Sequence, residues 1–231
     1  MKDMERVTNL WGPKVANAAF DLGAIRLNVA DPFTWVSGYR MPIYNDNRRL
    51  LADAATRRLL AEAFSEMLAL LGWEPDNIAG TATAGIPHAT TLADRLGKPL
   101  SYVRSSSKGH GLGNQIEGLS QSGSYEKAKV LLIEDLISTG GSAIQAVEAI
   151  VEADGICPYV LAIFSYGMAR AEEHFAALEP ACTFLPILTY DVMVATALES
   201  GYINVEEAEA LEQWKEDPFG WGIDRGFARK E

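Results

Sequence analysis

Residues 130–144 read VLLIEDLISTGGSAI, and this stretch decides the fold. Four apolar residues, Val130 to Ile133, predict a buried strand. Two carboxylates, Glu134 and Asp135, stand where that strand is expected to end. Small residues follow at 138–142, and apolar residues then recur on one face of a predicted helix. The expected order is therefore a strand, an acidic pair, a glycine-rich turn and a helix.

The turn at residues 138–142, the phosphate turn, suits an anion. Backbone N–H groups at a helix start point at a bound anion, and the helix dipole favours negative charge there. The acidic pair would repel a phosphate, so we expect it to accept hydrogen bonds from two sugar hydroxyls. The alternative is an ordinary strand-to-helix turn. A P-loop is excluded because no Lys follows the glycines, and a dinucleotide site because GxGxxG is missing.

A second informative stretch, residues 102–118, reads YVRSSSKGHGLGNQIEG. Its glycines and the serines nearby predict a mobile loop over residues 105–124, which a compact domain usually keeps for function. Arg104 and Lys108 suit phosphate oxygens, and His110 suits proton donation to a leaving group. These features predict a lid that closes on a polyanion. A solvated loop with incidental charges is the alternative.

Two further segments bear on ligand binding. Residues 80–88, GTATAGIPH, form either a second anion site or a close-packed turn. Residues 33–48, FTWVSGYRMPIYNDNR, are aromatic and broken by glycine, which suits a slot for a planar base. We expect Tyr44 to stack on such a base. We expect Phe33, Trp35 and Ile43 to pack in the core instead.

The rest of the chain predicts an α/β protein. An N-terminal helix and its exit are expected over residues 14–28, and an amphipathic helix over 52–71. Later strands alternate with helices, which favours a parallel sheet covered on both faces. The segment before residue 50 is expected to form a small flap over the carboxyl edge of the sheet, where ligands bind in such folds. No boundary divides residues 1–231, so we expect a single domain.

Composition narrows the class of protein. The chain has 231 residues and a net charge of −11, which argues against a general nucleic-acid binder. Cys157 and Cys182 lie in apolar stretches and are expected to be buried free thiols. The first eleven residues are charged and lack a signal-peptide core. No apolar run approaches the length of a membrane span, so a cytoplasmic location is expected.

Together these segments resemble the orotate phosphoribosyltransferase family, a branch of the type I phosphoribosyltransferases. The EDLISTGGS stretch is shared by many phosphoribosyltransferases, whereas the KGHG-GNQIEG loop and the FTW-SG segment are specific to the orotate branch. The likeness runs from about residue 20 to residue 215. It implies the type I phosphoribosyltransferase fold, an α/β fold with a central, mostly parallel sheet, helices on both faces and a small N-terminal hood.

The implied activity is transfer of the 5-phosphoribosyl group from phosphoribosyl pyrophosphate (PRPP) to N1 of orotate. The products are orotidine 5′-phosphate and pyrophosphate, in de novo pyrimidine (UMP) biosynthesis. Mg²⁺ is expected to arrive bound to PRPP rather than to a protein metal site. A phosphoribosyltransferase for another nucleobase, or a non-catalytic regulator that senses PRPP, is the alternative.

The resemblance also implies residue roles. Lys108 and His110 would be catalytic, and Ser138 with Tyr44 would bind orotate. The residue that holds the orotate carboxylate is unassigned, because Ser165 to Gly167 occupy the region where some relatives carry an Arg. A homodimer is implied, with the loop reaching into the neighbour's site. The residues expected to bind PRPP are Arg104, Lys108, His110, Glu134, Asp135, Leu136, Ile137, Ser138, Thr139, Gly140, Gly141 and Ser142.

Overall fold

The computed structural model describes residues 2–35, 37–105 and 115–229. The helices are α1 (Lys2–Asp21), α2 (Ala54–Leu71), α3 (Gly85–Leu96), α4 (Gly141–Glu152), α5 (Ala169–Ala176), α6 (Tyr190–Glu199), α7 (Val205–Glu216) and α8 (Trp221–Asp224), with a 3₁₀ helix at Asn47–Ala52. The strands are β1 (Ile25–Leu27), β2 (Phe33–Thr34), β3 (Arg40–Met41), β4 (Ile43–Asn45), β5 (Asn77–Thr81), β6 (Leu100–Val103), β7 (Ile116–Glu117), β8 (Lys129–Ile137), β9 (Ile156–Ser165) and β10 (Thr183–Thr189).

A six-stranded sheet in the order β10-β9-β8-β5-β6-β7 forms the centre of the protein. Its strands are parallel except β7, which runs antiparallel to β6. Alternate residues of β8 enter different cores because successive side chains of a strand point to opposite faces. Leu131 and Ile133 pack in the core that includes α1, α2 and α3. Val130 and Leu132 pack in the core that includes α4 and α5. The predicted parallel sheet with helices on both faces is confirmed.

Helix ends follow local chemistry. The side chain of Asp53 caps the start of α2, and Gly72 ends that helix in the left-handed conformation. Asn204 and Glu207 form a capping box at the start of α7. Trp214 and Trp221 are buried and pack in the core that includes α1, α2 and α3. Cys157 and Cys182 are buried and free, as predicted.

Three local predictions were wrong. Helix α1 starts at Lys2 rather than near residue 14, and β1 follows where the end of that helix was expected. Strand β7 lies within the stretch predicted to be a structureless loop, because Ile116 pairs with Val103. Strand β8 continues past the acidic pair to Ile137, because this segment keeps pairing with β9.

The first 50 residues add two small antiparallel sheets to the central one, β1 with β4 and β2 with β3. A turn joins β2 to β3, with Gly38 at φ +81° and its N–H donating to the Trp35 carbonyl at 2.8 Å. We call this β1–β4 region the hood. In the part of the chain that the structure describes, no helix is long and apolar enough to cross a membrane.

Candidate active site

The phosphate turn leads directly from β8 into α4. Gly140 caps the helix in the left-handed conformation, with φ +83° and ψ −4°, which glycine adopts without steric cost. Thr139, Gly141 and Ser142 are exposed, and Ser138 is half-buried. The turn therefore presents backbone N–H groups and hydroxyls to solvent at a helix start. This is the geometry that binds an anion.

The acidic pair has two different environments. Glu134 is buried, and its Oε1 accepts hydrogen bonds from Thr81 Oγ1 at 2.7 Å and from the Asp135 N–H at 2.9 Å. Its Oε2 is buried without a hydrogen-bond partner. Burial, followed by the neighbouring Asp135, raises the pKa of Glu134 to about 8. Asp135 is less buried, and burial raises its pKa too. The unliganded site therefore favours at least one protonated carboxyl.

The residues between the acidic pair and the turn face different ways. Leu136 is half-buried, whereas Ile137 is buried in the core that includes α4. The carbonyl of Ile137 accepts a hydrogen bond from the Tyr166 N–H at 3.1 Å. The Ile137 side chain therefore points into this core and not toward the open edge of the site.

A cavity of about 370 Å³, the base cavity, opens beside the phosphate turn. The hood and the carboxyl edge of the sheet both supply its walls. The hood residues that line it are Thr34, Trp35, Ser37, Tyr44 and Asn45, and the sheet residues are Leu136, Ser138 and Tyr166. Sequence-predicted residues from distant segments, Tyr44 and Ser138, thus meet around one cavity.

Aromatic rings dominate the hood side of this cavity. Tyr44 lies 5.8 Å from the Phe33 ring, and the Arg26 guanidinium lies 4.7 Å from the Tyr44 ring centroid. Trp35 was expected to be a core residue only. It packs against Tyr166 and Trp214, but it also lines the base cavity. The prediction for Trp35 was therefore incomplete, because sequence does not reveal which edge of a ring faces open space.

Sequence reasoning missed two residues at this edge, Asn45 and Asn47. Both side-chain polar atoms of Asn45, in the cavity wall, are buried without a hydrogen-bond partner. Asn47 is buried, and its Nδ2 donates to the Asp135 carbonyl at 2.6 Å. Asn47 therefore ties the 3₁₀ helix to the strand that carries the acidic pair. The NDN run at 45–47 was the available signal, since it places three short polar side chains directly after an aromatic stretch.

The segment at residues 80–88 is tightly packed at its glycines. A Cβ on Gly80 would lie 2.8 Å from the Ile86 Cα, and one on Gly85 would lie 2.5 Å from the Ile133 carbonyl oxygen. These contacts explain both glycines as packing residues. Thr83 is nevertheless exposed at the same edge as the phosphate turn. His88 is buried, and desolvation lowers its pKa to about 4. It is therefore neutral at physiological pH.

The loop predicted to be a lid is described only at its two ends. Arg104 forms an ion pair with Glu117 at 3.2 Å, which joins the ends of β6 and β7. Lys108 and His110 lie outside the described residues. Within the described ranges, no group of three or more His, Cys, Asp or Glu side chains could hold a metal ion.

Comparisons with known proteins place this geometry in a family. A model of the phosphoribosyl transferase domain matches residues 45–174. The orotate phosphoribosyltransferase of Listeria monocytogenes is 44% identical over 210 residues, which cover 90% of this chain and 97% of that relative. The chain belongs to the orotate phosphoribosyltransferase family.

Solved structures agree on the fold of this family member. The orotate phosphoribosyltransferase of Aeropyrum pernix matches with a TM-score of 0.65 and 27% identity, over 82% of this chain and 99% of that one. The Mycobacterium tuberculosis orotate phosphoribosyltransferase in complex with PRPP matches with a TM-score of 0.60 and 23% identity, over 79% of this chain and 98% of that one. The predicted type I phosphoribosyltransferase fold is confirmed.

Proposed function

We propose that this chain transfers the 5-phosphoribosyl group of PRPP to N1 of orotate at the site described above. The observation that carries this function is that the phosphate turn and the base cavity share Ser138. A ligand bound by the turn through its 5′-phosphate would place the ribose beside the acidic pair. Its C1 would then face the base cavity.

The donor site uses backbone and side-chain groups of β8 and the phosphate turn. Residues 138–142 would bind the 5′-phosphate, and Asp135 with Glu134 would accept hydrogen bonds from the ribose hydroxyls. The unpartnered Oε2 of Glu134 favours such a donor, because a buried acceptor without a partner carries a desolvation cost. The M. tuberculosis family member solved with PRPP supports PRPP as the donor.

The base site would mainly hold orotate in position and would not supply a reacting group. Tyr44 would stack against the orotate ring, and Ser138 would lie close to both substrates. As pyrophosphate departs, the ribose C1 gains positive character and orotate N1 attacks from the opposite face. The protein mainly positions the two reactants, which removes much of the entropic barrier to their meeting.

Leaving-group stabilisation is assigned to the loop. Arg104 and Lys108 would contact the pyrophosphate, and His110 would donate a hydrogen bond or a proton to it. Loss of one such charge-assisted contact in a closed site costs about 3 kcal/mol, or about 10²-fold in rate. We propose that the loop acts across a homodimer interface, on the site of the neighbouring subunit.

The donor set at this edge fits Mg²⁺ carried by PRPP. Glu134 and Asp135 offer hard oxygen atoms, and no described cluster of side chains would hold the ion alone. When bound, Mg²⁺ would add positive charge beside the leaving pyrophosphate. We further propose one phosphoribosyltransferase domain over residues 1–231, with the hood built mainly before residue 50, and a cytoplasmic location.

The function is tested by following the absorbance of orotate with PRPP and Mg²⁺ present. We expect orotate loss that depends on all three components. Parallel reactions with uracil, adenine and hypoxanthine test the alternative base. Consumption of one of those bases instead of orotate would overturn the orotate assignment. PRPP binding without turnover of any base would favour the non-catalytic regulator.

A further inference from the structure

Orotate differs from uracil by one carboxylate at C6, next to the reacting N1. That carboxylate must lie between the base cavity and the ribose site, since N1 bonds to the ribose C1. The eight described residues that line the base cavity carry no positive charge. The aromatic Tyr166, directly after β9, is one of them. Among the described residues, a cation for the carboxylate would therefore come from outside these eight.

Arg48 directly follows the hood residues that join the wall of this cavity to the acidic pair. It follows Asn47, whose amide is fixed 2.6 Å from the Asp135 carbonyl, and it lies four residues after Tyr44 in the cavity wall. The short connection from β4 into the 3₁₀ helix therefore holds Arg48 between the base side and the ribose side of the site. The positive charge of Arg48 reaches both sides of the site. Burial raises the pKa of Asp135 and the charge of Arg48 lowers it, and the same charge interacts with Tyr44.

The present partner of Arg48 is replaceable. Its Nε pairs with Asp46 Oδ1 at 2.6 Å, and 67% of the Arg48 side chain is exposed. Asp46 is 18% exposed, so the pair is open to solvent mainly on the Arg48 side, and ion pairs at the surface contribute little to stability. Elsewhere in the described part of the chain, its guanidinium makes no other hydrogen bond. The two terminal nitrogens are thus free to bind a carboxylate in the forked geometry that Arg favours.

Arg26 and Arg40 of the hood are engaged differently. Arg26 lies over the rings of Phe33 and Tyr44, 5.1 Å and 4.7 Å from their centroids. Arg40 pairs with Asp31 at 2.6 Å, and its side chain is only 14% exposed. Arg26 is near the base side but not next to the acidic pair, so it provides a matched control.

We propose that Arg48 is a specificity-determining residue that binds the C6 carboxylate of orotate and so selects it over uracil. This inference rests on the proposed function, because it names the group that recognises the substrate of that same site. Arg48 releases Asp46 when the carboxylate enters and pairs with it through the terminal nitrogens. The neutral edge of the pyrimidine lies deeper in the aromatic cavity.

Product binding isolates the carboxylate contact from catalysis. Orotidine 5′-phosphate and uridine 5′-phosphate share the base ring and the sugar phosphate and differ only in the carboxylate. The dissociation constants of both are measured by calorimetry for the full-length wild type, Arg48→Gln and Arg26→Gln. We expect the wild-type preference for orotidine 5′-phosphate to fall about tenfold or more in Arg48→Gln, as for a lost charge-assisted hydrogen bond. Arg26→Gln should keep the preference.

The two dissociation constants distinguish a lost contact with the carboxylate from a structural defect in the Arg48→Gln variant. An Arg48→Gln variant that loses affinity for both nucleotides equally would overturn the inference, because a structural defect weakens the shared contacts. Loss of the preference in Arg26→Gln but not in Arg48→Gln would also overturn it. Wild-type orotate turnover, assayed separately, decides the proposed function. An active wild type with an unchanged preference in Arg48→Gln would therefore reject the inference alone.

Discussion

A side chain on Gly140 would collide with Phe175: a Cβ built on this glycine lies 3.0 Å from Cε2 of the Phe175 ring. Phe175 belongs to α5 and is buried against Phe184 of β10, so it has little room to move. The left-handed conformation of Gly140 and its closeness to Phe175 both require a residue without a Cβ at this position. The phosphate turn is thus braced from behind by an aromatic cluster.

Gly140→Ala should destabilise the protein. The left-handed backbone alone costs about 1–2 kcal/mol for a residue with a Cβ, and the contact with Phe175 adds to that cost. Urea unfolding measures the change in the free energy of unfolding. Gly141→Ala is the matched control, because a Cβ there meets no atom within 4 Å and its φ is not left-handed. Equal stability of the two variants would contradict the bracing role of Phe175.

Thr81→Val should destabilise the protein more than Thr81→Ser. The Thr81 hydroxyl is the side-chain donor to buried Glu134, and it also approaches the Ile133 carbonyl at 3.2 Å. Valine keeps the shape but leaves a buried carboxyl oxygen with one donor fewer, which costs about 1–3 kcal/mol. Serine keeps the hydroxyl and loses only a methyl group. Urea unfolding at pH 7 compares the two, and a less stable Ser variant would reject this ranking.

Glu134 should contribute a loss of stability as pH rises from about 4.5 to about 8. The pKa of Glu134 rises from its ordinary 4.5 to about 8 in the folded protein. The unfolded chain therefore releases this proton first, and stability present below pH 4.5 is lost as pH passes through the folded pKa. Glu134→Gln should flatten this dependence in unfolding experiments at pH 5, 7 and 9.

Glu148→Gln is the control for that experiment, because it removes an exposed carboxyl of α4 and leaves the acidic pair intact. It should keep the wild-type dependence on pH. Asp135 and buried His88 remain in both variants and contribute slopes of their own, so the comparison between the variants carries the result. Identical slopes in Glu134→Gln and the wild type would show that the buried carboxyl is ionised across this range.

Local chemistry made much of the fold predictable. The turn at residues 138–142 needs a glycine in the left-handed conformation, and Gly140 supplies it within five residues of sequence. The end of α2 at Gly72 and the start of α7 at Asn204 are predictable for the same reason, because a helix cap depends on residues close to it in the sequence. The alternation of strands and helices then limits the arrangement to a covered parallel sheet.

The environment of the site was not predictable in this way. The sequence predicts that Glu134 binds a sugar, but it does not show that Glu134 is buried and hydrogen-bonded to Thr81, 53 residues earlier. Asn47 binds the Asp135 carbonyl from 88 residues away. Such contacts depend on how the hood lies over the sheet edge, and hydrophobic periodicity does not encode that placement. The motif therefore located the site, whereas the fold determined the protonation and the walls.

Mixed dimers test whether the loop serves the neighbouring subunit. Lys108→Ala should lower kcat by about 10²-fold with the fold intact, and Asp135→Asn should weaken the donor site. If the loop crosses the interface, a mixed dimer contains one site with an intact loop and an intact acidic pair. Random mixing of equal amounts should then restore about a quarter of wild-type activity, since half of the dimers are mixed and each has one working site.

The same mixture discriminates sharply against a loop that acts within its own subunit. Every site of every dimer would then carry one of the two substitutions, and mixing would restore nothing. Differently tagged subunits, purified in sequence, verify that mixed dimers have formed before activity is measured. Arg104 holds the start of the loop through its ion pair with Glu117. Neither Lys108→Ala nor Asp135→Asn removes this ion pair. Verified mixed dimers without recovered activity would therefore reject the shared site.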